Sequence, residues 1–185
     1  MTFKEQKITV SDKREKEREV TIRKCNIDDL EEAILLQNRV YESIINKDTF
    51  VMTTREEFIH SLTFDFCIGV YENGVLKAMS ILLKNTISSR NLGNYLGYDK
   101  QKLLKTVTFD ATFIDPDLRG YSLQKLFINI RKNEAKIWGA SEALVAVSLD
   151  NIYSLKNLLQ EGFDPVDIQP LYGGLKRCIM RLKVE

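Results

Sequence analysis

Residues 113–127 read FIDPDLRGYSLQKLF. The run that leads into them, KTVTFDATFID from Lys105 to Asp115, alternates along its length and reads as a strand. Pro116 ends it, because proline has no N–H to give to a ladder. From about Tyr121 to Trp138 the apolar residues Leu123, Leu126, Phe127, Ile130, Ile137 and Trp138 fall at helical spacing, and Gly139 closes the run. Arg119 and Gly120 stand at the corner between the two. The first N–H groups of a helix have no partner inside it, and the aligned peptide dipoles add partial positive charge there, so such a corner suits an anion. Gly120 lets backbone approach a phosphate, and Arg119 adds a fixed charge and a planar fork of donors. The plainer reading is a capped turn with a surface arginine. A Walker loop and a GxGxxG dinucleotide fingerprint are both missing from the sequence.

The strand has two unlike faces. Val107, Phe109, Ala111 and Phe113 make the apolar one; Thr106, Thr108, Asp110 and Thr112 make the other. In a central strand, such a polar row is expected to face something wet, such as a ligand channel, since unpaired buried polar groups are costly. In an edge strand it would face solvent.

Upstream, VTIRK (20–24) reads as a strand, and Asn26 with Asp28 and Asp29 opens a helix carried to about Lys47 by Leu30, Ala33, Ile34, Tyr41 and Ile44. A Thr53–Thr54 cap starts a second helix with Phe58, Ile59 and Leu62. FCIGVYENGVLKAMSILL (66–83) is a hairpin turned at Asn73-Gly74. NTISSRNLGNYLGY (85–98) is rich in turn formers and aromatics and reads as irregular and exposed, and YDKQKLLK adds a short helix. Downstream, ALVAVSL (143–149) is a strand covered on both faces, a helix runs from about Ile152 to Glu161 and stops at Gly162, and two strands joined through LYGG end the chain. Residues 1–19 read as a charged arm or edge segment, with room for a short strand at Ile8–Val10, and residues 20–185 as one α/β domain with a mixed sheet.

The 185 residues carry 29% charged side chains and a net charge of +1, which gives no general pull toward nucleic acid or an anionic membrane. Cys25, Cys67 and Cys178 are far apart, and with His60 as the single histidine they predict no metal site. The cysteine usage and the lack of a signal-like N-terminus point to the cytoplasm. Trp138 reads as core, and His60 as structural or solvated.

The sequence resembles the Gcn5-related N-acetyltransferase (GNAT) family. The resemblance rests on the strand, then Pro116-x-x-Arg119-Gly120-x-Ser122-Leu123-Gln124, then the next strand, then Asn151-x-x-Ser154 opening a helix that closes on Gly162-Phe163. The order matches over roughly residues 20–184. It implies a single-domain acyl-CoA N-acyltransferase-like fold, a central mixed and mostly antiparallel sheet flanked by about four helices. It implies acetyl-CoA as cosubstrate without a metal, its diphosphate on the backbone N–H groups of Arg119, Gly120, Tyr121, Ser122, Leu123 and Gln124. Strands 106–114 and 143–149 would splay around the pantetheine arm, which would bond backbone near Thr112 and Ile114, with Asn151 and Ser154 flanking it. Tyr95, Tyr98 and Tyr172 would wall the acceptor side or simply pack. Asp110, the best-placed carboxylate, would act as base or water-holder, or bind the acceptor.

Three positions depart from the family pattern. Ser122 and Gln124 stand where glycine, and glycine or alanine, are usual, and Leu158 stands where a tyrosine is frequent. Tyr153, five residues before Leu158, projects about 140° away around the helix and does not replace that tyrosine. The expected activity is acetyl transfer from acetyl-CoA to a small-molecule or peptide amine by direct attack in a ternary complex. The alternative is a non-catalytic acyl-CoA-binding or sensing module on the same fold. No nucleic-acid or membrane partner is expected, and a homodimer is compatible with the sequence.

Overall fold

In the computed structural model, which describes residues 3–184, the charged N-terminal stretch folds back on itself. Asp12 Oδ1 accepts the N–H groups of Arg14 (2.8 Å) and Lys16 (3.0 Å) and turns β1 (Gln6–Ser11) into β2 (Glu17–Lys24). The two pair antiparallel from Gln6↔Ile22 to Ser11↔Glu17. Met1, Thr2 and Glu185 lie outside the described residues. An Asn26–Asp29 capping box leads into α1 (Leu30–Glu42), and a Thr54–Glu57 box starts α2 (Arg55–Phe64). α1 stops five residues before the expected Lys47. Ser43 caps it, its Oγ donating to the Val40 carbonyl at 2.6 Å, and Asn46 opens a fresh cap over Asp48.

The chain continues through β3 (Phe66–Glu72), β4 (Val75–Leu83), α3 (Lys100–Leu103), β5 (Thr106–Ile114), α4 (Leu123–Ile137), β6 (Glu142–Val147), α5 (Ile152–Gln160), β7 (Asp164–Leu171) and β8 (Leu175–Lys183). Asn73 and Gly74 have φ of 51° and 80°, the two positive values that the β3–β4 turn requires. The strands form one sheet in the order β1-β2-β3-β4-β5-β6-β8-β7. The β1–β2, β2–β3, β6–β8 and β7–β8 ladders are antiparallel and β5–β6 is parallel, the mixed sheet that the sequence predicts. No helix among the described residues is long and apolar enough to cross a membrane.

Two compact units make up the chain. The first holds the described residues up to Ile45, Met52–Ile81 and Ala111–Phe127; the second holds Asn46–Val51, Leu82–Asp110 and the described residues from Ile128 onward. In the first, Phe58 of α2 packs on Phe113 of β5 with ring centroids 5.8 Å apart. The same unit holds a buried polar chain. The Tyr71 hydroxyl donates to Asp29 Oδ1 at 2.9 Å and meets Cys25 Sγ at 3.3 Å, while Arg23 grips both oxygens of Asp29 and stacks on the Tyr71 ring. Burial pushes the Cys25 thiol up to about 12, so it is an inert core group rather than a nucleophile. Burial alone would raise the Asp29 carboxyl, but Arg23, the Asn26 N–H and Tyr71 outweigh it and hold it below the usual range.

In the second unit, Phe109 meets Phe163 edge-on at 5.4 Å, and Leu92, Leu144, Leu171 and Ile179 form a buried cluster. The reading of 85–98 as exposed holds for much of the segment, and it is corrected at Asn91, Leu92 and Gly93, which are buried. Asn91 explains it. Its buried amide nitrogen lies 2.9 Å from the Thr86 carbonyl, 3.2 Å from that of Leu103 and 3.1 Å from that of Thr106, while its Oδ1 accepts the Gly93 N–H. One side chain therefore satisfies the backbone that would otherwise keep this segment in water. The polar row of β5 is corrected with it. Thr106 and Thr108 face no channel: they are buried, the Thr106 hydroxyl lying 2.8 Å from the Lys102 carbonyl and 3.0 Å from Glu142 Oε1, Thr108 accepting the Leu92 N–H. Trp138 is half-buried rather than core, with the Lys84 ammonium 5.8 Å from its ring.

Replacing Asn91 with Ala strands several buried carbonyls, each costing about 1–3 kcal/mol. The Asn91→Ala variant is expected to lose about 2–3 kcal/mol of stability in urea unfolding. A loss below ~0.5 kcal/mol would show that the 86–96 turn does not depend on this side chain.

Candidate functional site

The corner after β5 is built by its backbone. The Asp115 N–H donates to the Lys77 carbonyl of β4 at 2.8 Å, and the Asp115 side chain then caps the turn Pro116–Leu118. Gly120 follows at φ 91° and Ser122 at φ 58°. A Cβ on Gly120 would meet nothing within 4 Å, so glycine is required there by the left-handed backbone and leaves the corner open. The first helical bond of α4 runs from the Leu126 N–H to the Ser122 carbonyl at 3.1 Å. The N–H groups of Leu123, Gln124 and Lys125 therefore precede the ladder, at the positive end of the helix dipole.

Charge around the corner is divided unevenly. Asp115 Oδ2 accepts Arg39 Nε at 2.9 Å, and Asp117 Oδ2 takes Lys77 Nζ at 3.1 Å and Arg18 at 3.5 Å. Arg119 instead donates to the neutral Ser43 hydroxyl at 2.6 Å, so it brings its charge to the corner while being oriented by the end of α1. Tyr121 is buried with the Arg18 guanidinium over its ring at 5.6 Å, and Leu123 is buried, so these two side chains anchor the corner. The Thr112 hydroxyl meets that of Ser80 at 2.8 Å, and Ile114 and Gln124 are half-buried. These residues fit an anionic ligand taken by backbone donors, with Arg119 as the fixed charge.

The second unit holds a different cluster. Asp110 and Arg90 form an ion pair at 2.8 Å. Arg131, buried on α4 and stacked over Phe109 at 4.2 Å, faces Asp110. Burial pulls the Arg131 guanidinium down to about 9 and Asp110 opposes the change, so it stays cationic at neutral pH. Tyr172, between β7 and β8, is held at φ 49° ahead of Gly173 and Gly174, both also at positive φ. Burial drives its phenol well above the ordinary range, Asp110 and Tyr95 add to the rise, and Arg177 and Arg90 oppose it. Arg177 donates to the Asp48 carbonyl at 2.6 Å, and burial lowers its pKa. Three of the sequence-predicted residues, Asp110, Tyr95 and Tyr172, thus share one neighbourhood.

Tyr98 is used otherwise: it lies under the Lys102 ammonium at 3.5 Å and against the Leu92 cluster. Asn151 caps α5 by accepting the Ser154 N–H at 3.1 Å. Leu158 is buried and carries no hydroxyl, and the Tyr153 side chain is exposed to solvent. Sequence reasoning missed Arg90, Arg131 and Arg177. Arg131 left a signal, since it falls four residues after Phe127 and four before Ala135, inside the buried stripe of α4. Among the described residues, no group of three or more His, Cys, Asp or Glu gathers as a metal site.

The parallel pairing of β5 with β6 runs from Thr106↔Glu142 to Phe109↔Val145, and β5 continues past it to Ile114. No protein-family model matches the sequence, and no curated protein matches it. Solved structures do match its fold. The ribosomal-protein-S18-alanine N-acetyltransferase of Escherichia coli superposes with a TM-score of 0.67 at 17% identity, over 90% of this chain and 94% of that one. A GNAT-family acetyltransferase of Streptococcus pneumoniae gives 0.67 at 15%, over 90% and 99%. An N-acetyltransferase of Thermoplasma acidophilum, solved in complex with coenzyme A, gives 0.62 at 15%, over 89% and 98%. The fold is therefore the acyl-CoA N-acyltransferase-like fold of these enzymes.

The two left-handed residues make opposite predictions. Gly120→Ala is expected to cost about 1–2 kcal/mol through backbone strain alone, since its Cβ has open space. Ser122→Gly is expected to be neutral or stabilising by up to ~1 kcal/mol. Chemical unfolding of both variants checks the pair, and a destabilised Ser122→Gly would show that the serine hydroxyl, not its φ, holds the corner.

Proposed function

We propose that this chain is an N-acetyltransferase of the Gcn5-related kind that moves an acetyl group from acetyl-CoA to an amine by direct attack in a ternary complex. The observation that carries this is the corner: Gly120 and Ser122 in left-handed backbone directly ahead of α4, with Arg119 beside them, on a fold shared with acetyltransferases. Backbone N–H groups of residues 120–124 would hold the diphosphate, that of Arg119 being given to the Pro116 carbonyl at 3.4 Å, and backbone near Thr112 and Ile114 the pantetheine arm. Acetyl-CoA would supply the activated thioester, with coenzyme A as its leaving group.

The protein's own contribution divides into two. Backbone donors along β5 offset charge on the thioester oxygen as the amine adds, an effect worth up to a few kcal/mol. Asp110 lies two residues before Thr112 on the same face of β5 and takes the acceptor's ammonium or a water that removes its proton. A free thiol has a pKa of about 8.5, so coenzyme A can leave as thiolate and take its proton from water. No step passes through Leu158.

Leu158 supports a second reading, an acyl-CoA-binding module without turnover, because its buried aliphatic side chain gives no proton to a leaving thiolate. A screen of acetyl-CoA with an amine panel, read as free thiol release, separates the two. The enzyme reading expects steady release with at least one acceptor class, and an Asp110→Asn variant about 10²-fold lower in kcat/KM. Calorimetric binding of coenzyme A with no release across the panel would leave the module. No heat with coenzyme A would remove both.

A further inference from the structure

The acceptor side carries a charge pattern that acetyl transfer alone does not require. Arg90 and Asp110 touch at 2.8 Å, with side chains 23% and 25% exposed, so solute reaches both. Tyr172, 42% exposed, is electrostatically coupled to both members of the pair, and Tyr95, 44% exposed, is coupled to Tyr172. Tyr172 is held there by a left-handed backbone, a strained state that persists where a surrounding structure enforces it. The Tyr95 turn is tied to β7 by Gln169 Nε2, which donates to the Tyr95 carbonyl at 3.1 Å. Arg131 lies beneath, buried, and Arg177 faces Asp48 and Asp150.

Consider what each class of amine would meet. A polyamine or a lysine side chain brings only positive charge. It would compete with Arg90 for Asp110 while facing Arg90 and Arg131, and like charges at contact distance repel. A zwitterion meets the same groups in the opposite sense. Its ammonium sits against Asp110 and its carboxylate against Arg90, so that four charges alternate and each has two opposite neighbours. Because the two protein charges touch, the two solute charges must be close as well. The Tyr172 phenol, which burial keeps protonated across the physiological range, adds a donor for the carboxylate.

We propose that the acceptor is an amino-acid-type zwitterion, its amine and carboxylate on adjacent or next-adjacent carbons, seated on the Arg90–Asp110 pair beside Tyr95 and Tyr172. This rests on the acetyl-transfer reading and narrows it to a substrate class. Arg90 is the specificity-determining residue, since it exchanges part of its contact with Asp110 for the acceptor's carboxylate. A site built to pair a charged group rejects the analogue that lacks it, because the site's own group is then left unmatched.

The test compares L-amino acids and β-alanine with their carboxamides as acceptors for acetyl-CoA, using the full chain. The amine of a carboxamide is less basic, so more of it is neutral and the chemistry alone favours the amide. A preference for the acid therefore reports on the site. The expected kcat/KM is at least tenfold higher for the acids. Arg90→Gln is expected to bring that ratio within threefold of unity, chiefly through KM, while Arg90→Lys keeps part of the preference. Equal use of acids and amides by the wild type would overturn the proposal, as would an Arg90→Gln protein that retains the tenfold preference. Should Arg90→Gln fail to fold, the wild-type ratio decides. Acetylation of simple amines but of no amino acid sinks this inference and leaves acetyl transfer standing; acetylation of nothing, with coenzyme A still bound, removes acetyl transfer and this with it.

Discussion

A parallel strand pair is held by slanted bonds that any divergence of the two axes breaks, and β5 spends only the residues from Thr106 to Phe109 on such pairing with β6. From Ala111 onward it is tied to β4. Ser80 donates to the Ala111 carbonyl at 3.2 Å and meets the Thr112 hydroxyl, and the Lys77 carbonyl receives the N–H of Asp115. The strand thus arrives at Pro116 in a defined orientation without its former neighbour. Everything assigned to ligand binding in the first unit, from Thr112 to Gln124, hangs on that half of β5 and on the turn that follows it. The buried contact of Phe113 with Phe58 fixes the same segment from its apolar face.

Electrostatics is used in two ways on this one strand. At its end, Asp115 and Asp117 bind Arg39, Lys77 and Arg18 and so stitch the turn to α1, β4 and β2. Those pairs are structural, and the partly exposed ones are worth little individually. Arg119 is the exception, because a hydroxyl orients it without cancelling its charge. At Asp110 the balance reverses. A buried arginine is expensive to maintain, and Arg131 is tolerated because Phe109 covers its flat face and Asp110 stands opposite.

The corner and the element order were legible in the sequence because each rests on a local rule: proline ends a ladder, Asn-Gly turns a hairpin, Gly162 closes a helix. Ser122 illustrates the limit of that legibility. Its departure from glycine was visible, but the φ of 58° that makes glycine usual there was not. The irregular stretch around Asn91 and Leu92 was misread because its burial depends on a side-chain amide reaching carbonyls 5, 12 and 15 residues away, which no periodicity records. Thr106 and Thr108 looked like the wall of a channel for the same reason, their partners lying in Glu142 and Leu92. The arginines around Asp110 and Tyr172 come from separate stretches of chain, the 85–98 segment, α4 and β8, and nothing in a linear reading gathers them.

The two-sidedness of β5 has an evolutionary corollary. Sliding this strand by a single position would exchange Phe109 and Phe113 with Asp110 and Thr112, evicting two aromatic rings from the interior and admitting a carboxylate. Intermediate placements do not exist, so descendants of this chain cannot adjust their chemistry by small displacements along it. Variation without disturbing any ladder is open instead to exposed turn side chains such as Tyr95 and Tyr172, and not to the buried Asn91 and Leu92.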